Sequence, residues 1–417
     1  MKKYHAYQCS ICQKTFEPID IFYTCPHDGG NVDVLLNYAA LKKQPIVDQL
    51  NSSGDFSIWR YLSLLPVDDP GYVSTPLRAV GWTPVYSTDR LSKQANLDQL
   101  WIKDDGRNPT ASFKDRASAV VVARAKDIQA EVVVTASTGN AGAALAGMAA
   151  ACGQKTVIFA PKSAPQAKIA QLLVFGAQVI LVDGNYDQAF DLSVKASQEF
   201  GWYCRNTGYN PFTAEGKKTA AFEIWEQVIL HNKTLKDKLS VFVSVGDGNI
   251  ISGLHKGFKD LKEAGLLDYI PRIFGIQSEG SAAIATAFEK GTEVIEPVHA
   301  TTIADSISVD LPRDGLRAVR AATQTGGAYI KVKDEEILEA IAALGKAGIF
   351  AEPAGATAYA GVLKASQKDL LKSTDPVLCL ITGSGLKDVN AAMKAVQAAP
   401  VIEPTMRALR QILENRA

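Results

Sequence analysis

From about Leu100 onward the chain repeats one pattern: a short β-branched run, a turn of small or polar residues, then a helix-length segment. Parallel strands need a long crossover between neighbours, usually a helix, so this alternation predicts parallel sheets built from βα units. The runs are VVVTAS at 132–137, TVIFAP at 156–161, QVILVDG at 178–184, VFVSVGDG at 241–248, RIFGIQS at 272–278 and VLCLITG at 377–383. The first leads into the small-residue helix AGAALAGMAAAC. The second precedes a helix ending at Phe175, with Gly176 as its stop. The fourth leads into a helix beginning near Asn249. The expected fold class is α/β, doubly wound, with two parallel sheets.

A chain of 417 residues has room for two or three domains. Lysine plus arginine and aspartate plus glutamate number 44 each, so no net field favours nucleic acid or an anionic membrane. Any anion site must therefore be built from a few placed groups and backbone dipoles. MKKYHAYQCS has no apolar run behind its lysines and does not read as a signal peptide. Apolar stretches such as AVVVA at 119–123 are too short to span a bilayer. The cytoplasm is the default expectation.

Residues 1–35 read as a separate module. Cys9, Cys12 and Cys25 have zinc-ribbon spacing, and a complete ribbon would place its fourth cysteine at Asp28. His27, one residue off, is chemically the better ligand. Two readings stay open: zinc on Cys9, Cys12, Cys25 and His27, or a degenerate ribbon packed without metal.

Four segments carry candidate chemistry. In DDGRNPTASFKDRAS, residues 104–118, Ser112 and Asp115 have the spacing of a capping box, which places Lys114 in the first turn of a helix. Positive potential there, with partial burial, depresses an amine's pKa, as a Schiff-base lysine requires. ASTGNAG at 136–142 joins a strand end to a helix start, where Ser137, Thr138 and nearby amides can receive a carboxylate and Asn140 can reach a cofactor oxygen. SVGDGNI at 244–250 is a glycine-rich turn able to close amides around a phosphate. LITGSGLKD at 380–388 offers Thr382 or Ser384 as a neutral hydroxyl for a ring nitrogen. Taken singly, each has a plain reading, as a surface lysine beside Asp115 and Arg116 or as an ordinary βα turn.

Together, in this order, they resemble the threonine synthases and their relatives among the fold type II pyridoxal-phosphate enzymes. The resemblance runs from IWRYLSLLP to LITGSGLKD. It includes NPTASFKDR, ASTGNAG, YDQAF, NPFTAEGKKTAAFEIWEQ, EEILEA and IFAEPAGATAYAG. It implies two doubly wound domains, 36–104 with 206–417 as the larger and 105–205 as the smaller, beside the zinc-ribbon-like module. It also implies pyridoxal 5'-phosphate as cofactor, with Lys114 as its Schiff-base lysine and Phe113 beside it. Asn140 would meet the ring hydroxyl, and Gly246, Asp247, Gly248, Asn249 and Ile250 would cradle the phosphate. Thr382 would meet the ring nitrogen. Ser137, Thr138, Asn206 and Arg313 would contact the substrate, the first two at its carboxylate. The implied reaction turns O-phosphohomoserine and water into threonine and phosphate, in an enzyme expected to be a homodimer.

Two positions depart from that family. An arginine that grips the substrate phosphate is replaced by Thr213 in NPFTAEG, leaving Arg205, Lys217, Lys218 or Arg313 to compensate. Arg313 in SVDLPRDG is the most suggestive of these. The phosphate turn reads GDGN rather than GNAGN, so Asp247 is expected to turn its carboxylate away. The alternatives are a related enzyme on another phosphorylated amino acid, such as a cysteate synthase, then a threonine or serine dehydratase, or a non-catalytic binding protein on this fold.

Overall fold

A computed structural model describes residues 3–19, 23–232, 235 and 238–414. The N-terminal module is a three-stranded antiparallel sheet of β1 (Tyr4–Cys9), β2 (Thr15–Phe16) and β3 (Val32–Leu36), in the order β2-β1-β3. It is anchored to the rest by specific bonds. The Tyr23 hydroxyl accepts from the Cys204 amide at 2.8 Å, its ring stacks on Tyr209 at 4.5 Å, and Asp33 pairs with Arg317 at 2.7 Å.

After β4 (Val85–Tyr86) and β5 (Leu100–Asp104) the chain leaves one sheet to build another from β6 (Val132–Ala136), β7 (Lys155–Pro161), β8 (Gln178–Val182) and β9 (Tyr203–Cys204). These four are all parallel, in the order β8-β7-β6-β9. The chain then returns with β10 (Ser240–Ser244), β11 (Arg272–Ser278), β12 (Tyr329–Val332) and β13 (Val377–Ile381). The resulting six-stranded sheet runs β12-β11-β10-β13-β5-β4, parallel except for the edge pairing of β4 with β5. Helices cover both faces, so central strands such as β10 and β13 are wholly buried, β13 apolar throughout and β10 apolar between its terminal serines. The α/β expectation, with two parallel sheets and a small N-terminal module, holds. β5, β6, β10 and β13 all end at turns that the sequence had marked, on the carboxyl edge where open sheets bind ligands.

The helix Lys114–Asp127 begins where the sequence places it, but not by the expected cap. Phe113 is the N-cap and makes no side-chain cap bond. Ser112 is held extended by a bridge to Gly383, and its hydroxyl has no partner among the described residues. The Asp115 carboxylate instead accepts from the Thr110 amide at 2.6 Å and from the Thr110 hydroxyl. A buried ionic network fixes the next residue: Arg116 lies between Asp105 and Glu223, and Glu223 also pairs with Lys103 at 2.8 Å. Removing one member would strand a buried charge, at a cost of about 3–5 kcal/mol. The network thus locks the start of the lysine helix to β5 and to the helix Thr219–Ile224.

Candidate active site

Segments far apart in sequence meet in one recess at the carboxyl edges of the two sheets. Phe113, Lys114, Asn140, Thr382 and the whole turn Gly246–Ile250 line it. Thr207, Lys217, Ser244, Ser306, Ile307 and Glu352 complete much of the wall. The turn follows β10 and opens the helix Asn249–Glu263, so its amides and the helix dipole face one place. Gly248 has φ +90°, and a Cβ there would lie 2.6 Å from the Asp314 carbonyl oxygen. A Cβ on Gly246 would lie 2.7 Å from the Ile307 Cα, so only glycine lets this turn close against its neighbours.

The Asp247 carboxylate is turned onto backbone, accepting from the Arg313 amide at 2.6 Å. Its charge is therefore held by a neighbouring segment. Burial, the largest influence, still raises its pKa. Lys114 pairs with no carboxylate among the described residues. Burial, helped by the Arg205 charge, lowers its pKa to about 8, against the opposing pull of Asp247 and Glu352. Such an amine is partly neutral near physiological pH and is a competent nucleophile toward a carbonyl. The Asn140 amide donates to both Glu352 oxygens at 3.0 Å and to the Ser306 hydroxyl at 3.3 Å. The Thr382 hydroxyl lies 3.5 Å from that of Ser244, while its carbonyl accepts the Phe113 amide at 2.8 Å. An amine with a lowered pKa, facing an amide-lined turn across a recess, fits a cofactor that carries both an aldehyde and a phosphate.

A second recess opens beside the first and shares Asn140, Ser306, Glu352 and Ala354 with it. Thr138 and Gly139 line it at the start of the helix Asn140–Ala150, together with Lys168 and Lys387. Ser137 lines neither recess. Asn206 is also absent from both, and its side chain is engaged between the small sheet and the helix Tyr186–Phe200. Its oxygen accepts from the Thr135 hydroxyl and the Ala136 amide, both at 2.9 Å, and its nitrogen donates to Ser193 at 2.8 Å. Arg313 reaches outward to Asp187 at 3.0 Å and stacks on Phe190, so its backbone rather than its guanidinium serves the turn.

In the N-terminal module, donor atoms of Cys9, Cys12, Cys25 and Asp28 all lie within 4.8 Å of one another. The Cys12 and Cys25 sulfurs are 3.7 Å apart, and the Cys9 sulfur is 3.3 Å from Asp28 Oδ1. His27 is not the fourth member. The turn closed by Gly29 N–H on the Cys25 carbonyl carries residue 28 inward and leaves His27 against the Phe16 ring. Three thiols and a carboxylate form a donor set that suits zinc.

Sequence reasoning assigned no role to Glu352, Ser306, Ile307 or Thr207. Glu352 had a local signal, a lone acid before the proline that starts the helix Pro353–Gln367. The other three reach the recess only through the tertiary path of the chain.

Comparisons with known proteins agree with this architecture. Residues 77–383 match the family described as pyridoxal-phosphate dependent enzyme. The threonine synthase of Methanocaldococcus jannaschii is 38% identical over 411 residues, covering 98% of this chain and 99% of that protein. That of Methanosarcina acetivorans is 33% identical, covering 99% and 100%. The enzyme of Synechocystis is 36% identical, covering 80% and 84%. Among solved structures, threonine deaminase isoform 2 of Solanum lycopersicum superposes with a TM-score of 0.64 at 21% identity, over 86% of this chain and 87% of that one. Maize serine racemase gives 0.63 at 22% identity, over 80% and 92%. At such identities these two structures support the fold alone.

Proposed function

The chain belongs to the pyridoxal-phosphate-dependent enzymes, and within them to the threonine synthases; from this premise we propose how its residues carry that reaction. The activity is conversion of O-phosphohomoserine and water into threonine and phosphate. What supports the residue roles is the convergence of Lys114, Asn140, the Gly246–Ile250 turn and Thr382 on one recess.

The turn amides receive the cofactor's phosphate, helped by the dipole of the helix Asn249–Glu263. Lys114 is the covalent anchor for its aldehyde, and Phe113 packs beside it. Thr382 would offer the ring nitrogen a neutral hydroxyl, a partner that does not call for a protonated ring. Asn140, whose amide donates to Glu352, would meet the ring hydroxyl. Bound there, the cofactor supplies the electron sink that makes the substrate's α and β protons removable. Lys114 would also be the group that carries those protons, its pKa in the free chain being lowered to about 8 by burial. Thr138, with the amides beginning the helix Asn140–Ala150, takes the substrate carboxylate. Ser137 supports that turn through its backbone, and its carbonyl lies where a Cβ on Gly142 would have to be. Lys168, paired with Asp305 at 2.6 Å, and Lys387 border the same recess.

The reading includes a smaller domain over 105–205, a larger one over 36–104 with 206–417, and a cytoplasmic homodimer. It also includes one zinc on Cys9, Cys12, Cys25 and Asp28, whose role is to fasten the N-terminal module.

A substrate panel tests the activity. The expected result is phosphate release from O-phosphohomoserine alone. Release only from O-phosphoserine with sulfite would transfer the chain to the cysteate synthase reading. With neither turned over and no cofactor absorbance, the non-catalytic reading would stand.

A further inference from the structure

The Gly246–Ile250 turn is held from behind by two consecutive residues, Arg313 and Asp314. The Arg313 amide donates to the Asp247 carboxylate at 2.6 Å, and the Asp314 amide to the Asp247 carbonyl at 3.0 Å. The Asp314 carboxylate, wholly buried, accepts from the Asn249 side-chain amide at 2.6 Å, and its carbonyl oxygen packs against Gly248. Three successive residues of the turn thus take their places from this pair. A carboxylate behind a turn that receives a phosphate repels it unless the charge is neutralised. Arg317 neutralises it through two bonds of 2.7 Å, one to each Asp314 oxygen.

What holds Arg313 and Asp314 comes from outside both large sheets. The remaining end of the Arg317 guanidinium bonds Asp33, on β3 of the N-terminal module, at 2.7 Å. Two residues earlier, the Asn31 side-chain amide donates to the Gly208 carbonyl. Gly208 lies so close to Arg313 that a Cβ on it would be 2.6 Å from the Arg313 Cβ. One edge of the module therefore reaches both residues, by separate routes. A guanidinium carries its donors in one rigid plane, so a bond at its far end fixes the plane in which it grips Asp314. We propose that the N-terminal module is a working part of the cofactor site: Asp33 is a positioning residue that acts through Arg317 and Asp314 to align the Gly246–Ile250 turn on the cofactor's phosphate. The proposal rests on the reading that this turn receives that phosphate. It gives the module a task beyond holding a metal, because neither Asn31 nor Asp33 belongs to the cluster of Cys9, Cys12, Cys25 and Asp28.

The experiment uses the full chain loaded with pyridoxal 5'-phosphate and reads two quantities, cofactor affinity and the phosphorus NMR resonance of the bound cofactor. Asp33→Ala should weaken affinity by about 3- to 30-fold, the range for a residue that acts through others, and should displace the resonance. Asp33→Asn, which keeps the shape and loses the charge, should change both in the same direction and serves if the alanine variant does not fold. Asp33→Glu, which restores a carboxylate, should recover most of the loss. Lys259→Met is the control. It removes the other cation near Asp33, 3.8 Å away, and should leave the resonance in place. Wild-type affinity and resonance in Asp33→Ala would overturn the proposal. So would a loss of affinity with an unmoved resonance, since the module would then only support the fold, or an equal displacement in Lys259→Met. Gly248→Ala separates the two levels of the argument. If it too leaves the resonance unmoved, the turn does not receive the phosphate and that reading falls. If Gly248→Ala moves the resonance and Asp33→Ala does not, only the role of Asp33 falls.

Discussion

Gly248→Ala isolates the phosphate turn from every other part of the site. The residue has φ +90°, where a Cβ costs about 1–2 kcal/mol. The added Cβ would also lie 2.6 Å from the Asp314 carbonyl oxygen and 2.9 Å from the Ala318 Cβ. Asp314 cannot retreat easily. Arg317 holds its carboxylate with two bonds of 2.7 Å, Asn249 donates to it at 2.6 Å, and its amide bonds the Asp247 carbonyl at 3.0 Å. Relief must therefore come from the turn moving outward, and overpacking of this kind adds about 1–3 kcal/mol. The expected loss of stability is about 2–5 kcal/mol in urea denaturation of the apoprotein. A displaced turn no longer aims its amides at one point, so cofactor affinity in a fluorescence titration should fall at least tenfold. Gly345→Ala is the control. It lies within the helix Asp334–Lys346, a Cβ there meets nothing within 4 Å, and it should be neutral or stabilise by up to about 1 kcal/mol. Wild-type stability and cofactor affinity in Gly248→Ala would refute the idea of a fixed, glycine-dependent cradle.

Cofactor capture by the apoprotein should depend on pH through Lys114, because only the neutral amine attacks an aldehyde. With its pKa lowered to about 8, the capture rate should rise through that pH and level off above it in stopped-flow absorbance. A rate still climbing toward pH 10.5, the ordinary lysine value, would contradict the lowered pKa. In the N-terminal module, Asp28→Ala should lose zinc to a chelator sooner than wild type while His27→Ala should not, by elemental analysis. The reverse order would restore His27 as ligand.

Much of the site was legible because its parts are local in sequence. A β-branched run ending in Gly-Asp-Gly-Asn points to a strand, a tight turn and a helix start, and Lys114 opens the helix Lys114–Asp127 close to where the spacing had placed it. The cap was misread because Ser112 was judged by spacing, whereas its backbone is committed to Gly383 and Thr110 takes Asp115. Asn206 and Arg313 lie near strand ends and loops, as site residues do. No local pattern shows that Asn206 is used up by Thr135, Ala136 and Ser193, or that Arg313 turns to Asp187. The same holds for His27 and Asp28, where the path of one turn decides which side chain joins three sulfurs.

The central claim is that Lys114 bears the cofactor. Borohydride reduction of the holoenzyme followed by peptide mapping tests it directly. The account predicts one pyridoxyl label per chain, on Lys114, and none on Lys217. A label on any other lysine, or reduction that leaves Lys114 unmodified, would contradict it.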